Sequence, residues 1–312
     1  MALTSKHLAA KADDDDELGM WEHRYMFFGR RISIREDFNA GLGGTLFDGS
    51  LCLARYLEFR HAQSTGDNEV DGKELSATPG FLAGKSVVEL GAGCGLPGFL
   101  AGLLGAGPCV LTDIEETVEL LEENLESNAP HLPDGGARVT TEELDWTEAE
   151  HLARFADRAP FDFVLCADTI YETECVRPFL AVLDALSGPD TTIVFAHPNE
   201  RVKEASELFW TLMPERYVCT KVPPREFGAQ AGSFVTARHG VFLLRKRGEG
   251  DEGAASWDPS QKPDASWHEA ALPELHQPLV DADGKFVGGV ADDDDGGGGG
   301  DAAAADDSNG PK

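Results

Sequence analysis

Basic residues are scarce in this 312-residue chain: 26 Lys and Arg stand against 56 Asp and Glu, for a formal net charge of −30. A surface this poor in cations cannot neutralise a phosphate backbone, so nucleic acid is not an expected partner. A cationic partner, such as a basic protein substrate, is electrostatically favoured. Paired cysteines are also missing. Cys52, Cys94, Cys109, Cys166, Cys175 and Cys219 include no C-x-x-C, which argues against a zinc site or a disulfide framework and for a reducing compartment. No apolar run reaches the roughly 18–20 residues that span a bilayer. The opening MALTSKHLAAKADDDDELG has no apolar signal core. The chain therefore reads as a soluble, monomeric protein without a membrane partner, cytoplasmic and with nuclear entry left open. No internal repeat is visible.

Three regions follow from composition. Residues 1–19 read as a disordered acidic N-terminus and 20–247 as the folded body. Residues 248–312 form a low-complexity acidic tail whose DDDDGGGGGDAAAADD run cannot bury enough apolar surface to offset chain entropy. Within the body, Tyr25 to Phe28 and Arg31 to Ile34 predict a hairpin across a glycine turn. Ser50 to Phe59 has helical apolar spacing, with Asp48 as its expected N-cap. Apolar strands then alternate with helices. VVEL from Val87 precedes a helix from Leu96 to Leu104. CVLT from Cys109 precedes one from Glu116 to Asn128. ARVTTEEL precedes a helix opened by the capping box Thr147-x-x-Glu150. FDFVLCA from Phe161 precedes a helix from Glu174 to Leu186, and TTIVFA from Thr191 one from Arg201 to Met213. Tyr217 to Val222 and Gly240 to Arg245 have no helix between them and form a final hairpin. Repeated β-α units predict an α/β fold, a Rossmann-like sheet of six parallel strands and one antiparallel, covered by helices on both faces and preceded by an N-terminal β-hairpin extension.

Ligands in such sheets bind beyond the carboxyl ends of the strands, where strand order reverses. The first body strand ends in Glu89-Leu90-Gly91-Ala92-Gly93-Cys94-Gly95, followed by Leu96-Pro97-Gly98. Alternating glycines permit a sharp turn and a close ligand approach. Gly93, Gly95 and Gly98 also spell the dinucleotide fingerprint, with Asp113 20 residues on as the expected ribose ligand. The E-x-G-x-G-x-G form favours S-adenosylmethionine, with Glu89 near its cationic end. Two further strand ends support that choice. Asp145-Trp146 would meet an adenine, and Asp168 and Tyr171 would stand where a methyl group moves. His197-Pro198 could line the cleft, although a lone histidine there is more often structural.

The segments GGTLFDGSLCLARYLE, GKSVVELGAGCGLPGFLAGLLGA, VLTDIEETVELLEENLESN and VLCADTIYE resemble the seven-β-strand protein-lysine methyltransferases of the methyltransferase-like group, which act on Hsp70 chaperones, valosin-containing protein and elongation factors. The resemblance runs from about Phe27 to Arg245, and its most specific element is D-x-x-Y at Asp168 and Tyr171. It implies cofactor contacts at Gly91, Ala92, Gly93, Asp113, Trp146 and Ala167, with Gly95, Ile114 and Asp145 beside them. Phe47 stands where the family usually has tryptophan. The implied reaction is in-line transfer of a methyl group from S-adenosylmethionine to a lysine of a protein substrate. Asp168 would orient the amine and Tyr171 would wall it. The Asp-x-x-Tyr pair also suits a histidine, an N-terminal amine or a small-molecule amine. An NAD-dependent oxidoreductase and a non-catalytic binding module are the remaining rivals.

Overall fold

A computed structural model describes residues 20–66, 75, 78–198, 203–227, 239–248 and 250–251. The expected disordered N-terminus and most of the expected tail lie outside the described residues. Just past the expected end of the body, Arg245 holds the Asp251 carboxylate through two hydrogen bonds of 2.8 and 2.9 Å.

The chain opens with β1 (Met20–Phe27) and β2 (Arg30–Asp37), an antiparallel hairpin paired from Met20–Asp37 down to Phe27–Arg30. Its two turn residues, Phe28 and Gly29, both have positive φ (50° and 68°), the turn geometry that matches strand twist. Phe28 accepts that conformation because its ring is buried against His61. Helix α1 (Asp48–Thr65) comes next. The units β3 (Val87–Leu90)–α2 (Leu96–Leu103), β4 (Cys109–Asp113)–α3 (Glu115–Asn128), β5 (Val139–Glu143)–α4 (Ala149–Ala153), β6 (Phe163–Ala167)–α5 (Thr173–Leu186) and β7 (Thr192–Pro198)–α6 (Lys203–Leu212) follow. The chain ends with β8 (Tyr217–Lys221) and β9 (His239–Lys246).

The main sheet has the order β5-β4-β3-β6-β7-β9-β8. Strands β5 to β7 pair in parallel, and β9 lies antiparallel between β7 and β8, so six strands share one direction. This is the expected sheet, with the hairpin as a separate two-stranded layer. Strand order reverses between β3 and β6, which opens a crevice at their carboxyl ends. Helices α1, α2 and α3 bury Leu53, Leu57, Phe99, Leu100 and Leu121 on one face. The other face is aromatic, with Phe179, Phe195, Phe209 and Phe242 in mutual contact. Among the described residues no helix is long and apolar enough to cross a membrane, and all six cysteines are free thiols.

Two local expectations are corrected. Asp48 is the first helical residue of α1 rather than its cap, and Phe47, at the N-cap position, makes no side-chain capping bond. Thr147 does not cap α4, whose N-cap position is Glu148. Its hydroxyl instead donates to Asp145.

The hairpin is held to the body by two buried asparagines one helical turn apart on α3. Asn128 accepts from the Ser33 N–H (2.8 Å) and donates to the Ser33 carbonyl (2.6 Å). Asn124 does the same for Arg35 (2.8 and 3.0 Å) and also donates to the Cys94 carbonyl (3.1 Å). Each primary amide stands in for a neighbouring strand and satisfies the outer edge of β2. His197, raised above as a cleft candidate, belongs to the aromatic face instead. It is 1% exposed, stacked on Phe195, and its Nε2 lies 2.7 Å from Ser206 Oγ.

Two predictions follow from this packing. Asn128→Ala leaves the Ser33 N–H and carbonyl unpaired and should destabilise the fold by about 2–4 kcal/mol in urea unfolding; a loss below about 0.5 kcal/mol would show that the hairpin is anchored elsewhere. Burial lowers the His197 pKa from 6.5 to about 4, so the unfolded chain binds a proton that the folded chain refuses. Its stability contribution is complete above pH 6.5 and is lost as pH falls through 4, by up to roughly 3 kcal/mol. His197→Gln should flatten the pH dependence of unfolding between pH 7 and 4; an unchanged slope would assign the loss to other groups.

Candidate active site

The crevice is built from the turns that follow β3, β4, β5 and β6. After β3 the chain passes through Gly91, Gly93 and Gly95 at φ of 61°, 54° and 85°, a conformation that side-chain-bearing residues seldom adopt. Asp113, at the end of β4, holds this loop: its Oδ2 accepts the Gly93 N–H at 2.7 Å while its Oδ1 accepts the Ile114 N–H at 2.8 Å. Burial raises its pKa although these amide bonds oppose the shift. Each oxygen retains a lone pair for a further donor. Ala92 is buried, its N–H bonded to the Thr112 carbonyl at 2.9 Å, and Ile114 is exposed at the rim. The Phe38–Gly44 segment crosses over the loop, with the Cys94 thiol 3.6 Å from the Gly43 carbonyl. A Cβ on Gly93 would stand 3.0 Å from that carbonyl.

Gly91 is closely packed, since a Cβ there would meet Thr169 at 3.1 Å and the Trp146 ring at 3.3 Å. These three residues form one wall and floor. Trp146, at the end of β5, is half-buried with its ring against Phe179 at 5.1 Å. Ala167 closes β6 as a buried residue. Asp145 makes a local turn, its Oδ1 accepting both the N–H (2.8 Å) and the hydroxyl (2.7 Å) of Thr147. These bonds lower its pKa, so it stays a carboxylate, and its Oδ2 takes part in neither bond.

Glu89 is placed differently from the expectation. It is 1% exposed, tucked beneath α2, and its Oε2 accepts the Gly98 N–H at 2.8 Å. It caps the first turn of α2 instead of facing a ligand, and burial pushes its pKa well up.

Asp168 and Tyr171 follow β6. Asp168 has φ of 54° without being a glycine, a strained conformation of the kind concentrated at functional sites. Its N–H is tied to the Ala196 carbonyl at 3.0 Å. Its Oδ2 accepts the Gly49 N–H at 2.9 Å, so this carboxylate supplies the cap that α1 lacks in its own sequence. A Cβ at position 49 would displace this carboxylate. Phe47 is half-buried two residues away. Tyr171 is 39% exposed at the rim, its pKa raised by burial and by Cys175 and Glu172 nearby. Sequence reasoning missed Gly49, Thr169 and His239. Gly49 and Thr169 lie inside segments it singled out, whereas nothing near His239 in the sequence connects it to Asp168, from whose Oδ1 its Nε2 stands 3.5 Å.

The mouse (Mus musculus) EEF1A lysine methyltransferase 3 is 31% identical over 196 residues, covering 62% of this chain and 73% of its own. The mouse protein N-lysine methyltransferase METTL21A is 30% identical over 199 residues, covering 64% of this chain and 79% of its own. Among solved structures, the T. Thermophilus 16S rRNA N2 G1207 methyltransferase RsmC superposes with a TM-score of 0.47 and 19% identity, over 74% of this chain and 51% of that one. A family model described as lysine methyltransferase matches residues 28–216, more than half of the sequence, and the chain belongs to the lysine methyltransferase family.

Proposed function

We propose that this enzyme methylates lysine side chains of a protein, with S-adenosylmethionine held between the Gly91–Gly95 loop, Asp113, Asp145 and Trp146, and with the acceptor amine entering beside Asp168 and Tyr171. The observation that carries this reading is the strained, helix-capping carboxylate of Asp168 at the strand-order reversal, on the strand next to the one that ends in the glycine loop.

The residues present fit the donor. Gly91 packs too closely on Thr169 and Trp146 to carry a Cβ without crowding, and Thr169 Oγ1 is buried with no hydrogen-bond partner among the described residues. Asp113 keeps acceptor capacity for ribose hydroxyls, and Asp145 stays ionised opposite an adenine amine. The glycine pattern suits a dinucleotide less well here. The Gly98 N–H, which would serve a pyrophosphate at the start of α2, is taken by Glu89. Bound in this cradle, S-adenosylmethionine supplies a sulfonium methyl group to the free electron pair of a neutral amine, in line with the departing sulfur.

The chain's own task is therefore to present a neutral amine in the right direction. Neutralising lysine, whose reference pKa is near 10.4, costs about 4–5 kcal/mol at pH 7. A partly buried pocket lowers that cost by disfavouring the ammonium. Asp168 draws the ammonium in, orients it, and can take its proton or pass it to water. Tyr171 offers an aromatic wall that tolerates the methylammonium product. Fixed placement of both groups supplies the alignment. The free thiols fit a reducing compartment such as the cytoplasm.

Incubating the full-length protein with tritiated S-adenosylmethionine and a cell lysate should label protein, and mass spectrometry should find methyllysine; methylhistidine or a methylated N-terminus would overturn the acceptor assignment. Asp168→Asn keeps an oxygen for the Gly49 N–H, and should lower labelling at least about 100-fold while leaving affinity for S-adenosylhomocysteine within about 3-fold by calorimetry. Unchanged labelling would remove Asp168 from the mechanism. Asp113→Ala frees the Gly93 N–H and removes the ribose acceptor, so it should weaken S-adenosylhomocysteine at least about 10-fold, or roughly 1.4 kcal/mol; equal affinity would displace the ribose from β4.

A further inference from the structure

The carboxylate of Asp168 has two oxygens in different surroundings. Oδ2 is held by the Gly49 N–H at the start of α1. Oδ1 is buried, accepts no hydrogen bond among the described residues, and lies 3.5 Å from Nε2 of His239. His239 is only 7% exposed and opens β9, paired across the sheet with Pro198 of β7. Residues directly opposite on antiparallel strands project to the same face, and this pair projects to the face that α1 covers, away from His197, which faces Ser206 on α6. Nδ1 of His239 is also buried, with no hydrogen-bond partner among the described residues. Neutral imidazole has one N–H. With Nε2 3.5 Å from a carboxylate oxygen and no acceptor for Nδ1 among the described residues, the Nε2–H tautomer is favoured.

We infer that His239 is a positioning residue for methyl transfer, its Nε2–H holding Oδ1 of Asp168 while the Gly49 N–H holds Oδ2. The inference rests on the reading of Asp168 as the group that meets the acceptor amine. A carboxylate gripped at one oxygen only can rotate about its Cβ–Cγ bond; gripped at both, it presents a fixed plane to the amine. The 3.5 Å separation is longer than a finished hydrogen bond, and contacts of this kind tighten in the reacting complex. The imidazole does not itself touch substrate. It acts through the direction of the carboxylate, so its removal should disturb transfer more than binding.

The test uses the full-length chain in two measurements. In long-range 15N–1H spectra at pH 8 with S-adenosylhomocysteine added, the imidazole assigned to His239 by its absence in His239→Gln should show the Nε2–H tautomer, and its Nε2 resonance should move in Asp168→Asn. An Nδ1–H tautomer, or a resonance indifferent to Asp168→Asn, overturns the pairing. In the second measurement the acceptor is the purified protein that the wild type labels. His239→Ala should lower kcat about 10- to 100-fold, with KM and S-adenosylhomocysteine affinity within about 3-fold. His239→Gln can donate from its side-chain amide and should recover a substantial part of that loss. Wild-type kcat in His239→Ala, no recovery in His239→Gln, or a matching loss of S-adenosylhomocysteine affinity each overturns the inference. If no protein is labelled at all, the proposed function fails, and the tautomer measurement still decides whether His239 holds Asp168. Should His239→Ala not fold, the Gln variant and the wild-type tautomer decide it.

Discussion

The backbone from Gly91 to Gly95 offers amides and carbonyls but almost no side chains, so it cannot hold its own shape. One bond is internal, from the Gly95 N–H to the Ala92 carbonyl at 2.8 Å, and the other supports come from elsewhere in the sequence. Asp113 takes the Gly93 N–H from β4, Asn124 takes the Cys94 carbonyl from α3, and the Gly43 carbonyl lies over the same turn from the segment after β2. Asn124 also satisfies the edge of β2. The N-terminal hairpin and the glycine turn are thus fastened by one amide group.

Four carboxylates at the strand ends show how environment divides labour among similar groups. Glu89 is buried and pushed towards neutrality, and it caps a helix. Asp113 is also raised by burial but remains tied to two amides. Asp145 is held ionised by Thr147 at the surface. Asp168 caps a helix 119 residues earlier in the chain and still faces the crevice. Asp113, Asp145 and Asp168 together offer acceptors that suit hydroxyls, amines and cations, and they repel phosphate. The scarcity of cations in the sequence is reproduced at the site itself.

The sheet, its order-reversal point and the bounds of α2, α3 and α5 were legible because they depend on local periodicity and on glycine placement. Roles that depend on side-chain direction were not. Glu89 alternates to the side of β3 that α2 covers, which the run VVEL does not reveal. The cap of α1 was sought at Asp48 because caps are usually local, yet the acceptor arrives from beyond β6. His239 follows a stretch with no periodic signal, and only the antiparallel insertion of β9 beside β7 brings it to Asp168. Asn124 and Asn128 were readable in principle, as two amides one turn apart on the buried side of an otherwise acidic amphipathic helix.

That asparagine pair also sets an order in time. The hairpin leaves the ribosome early, but Ser33 finds Asn128 95 residues later. At about 5–20 residues per second, the outer edge of β2 waits roughly 5–20 s for its partner. During that interval it is an unsatisfied strand edge, open to other chains. Nascent-chain vulnerability is therefore concentrated in this hairpin, and the arrival of α3 ends it.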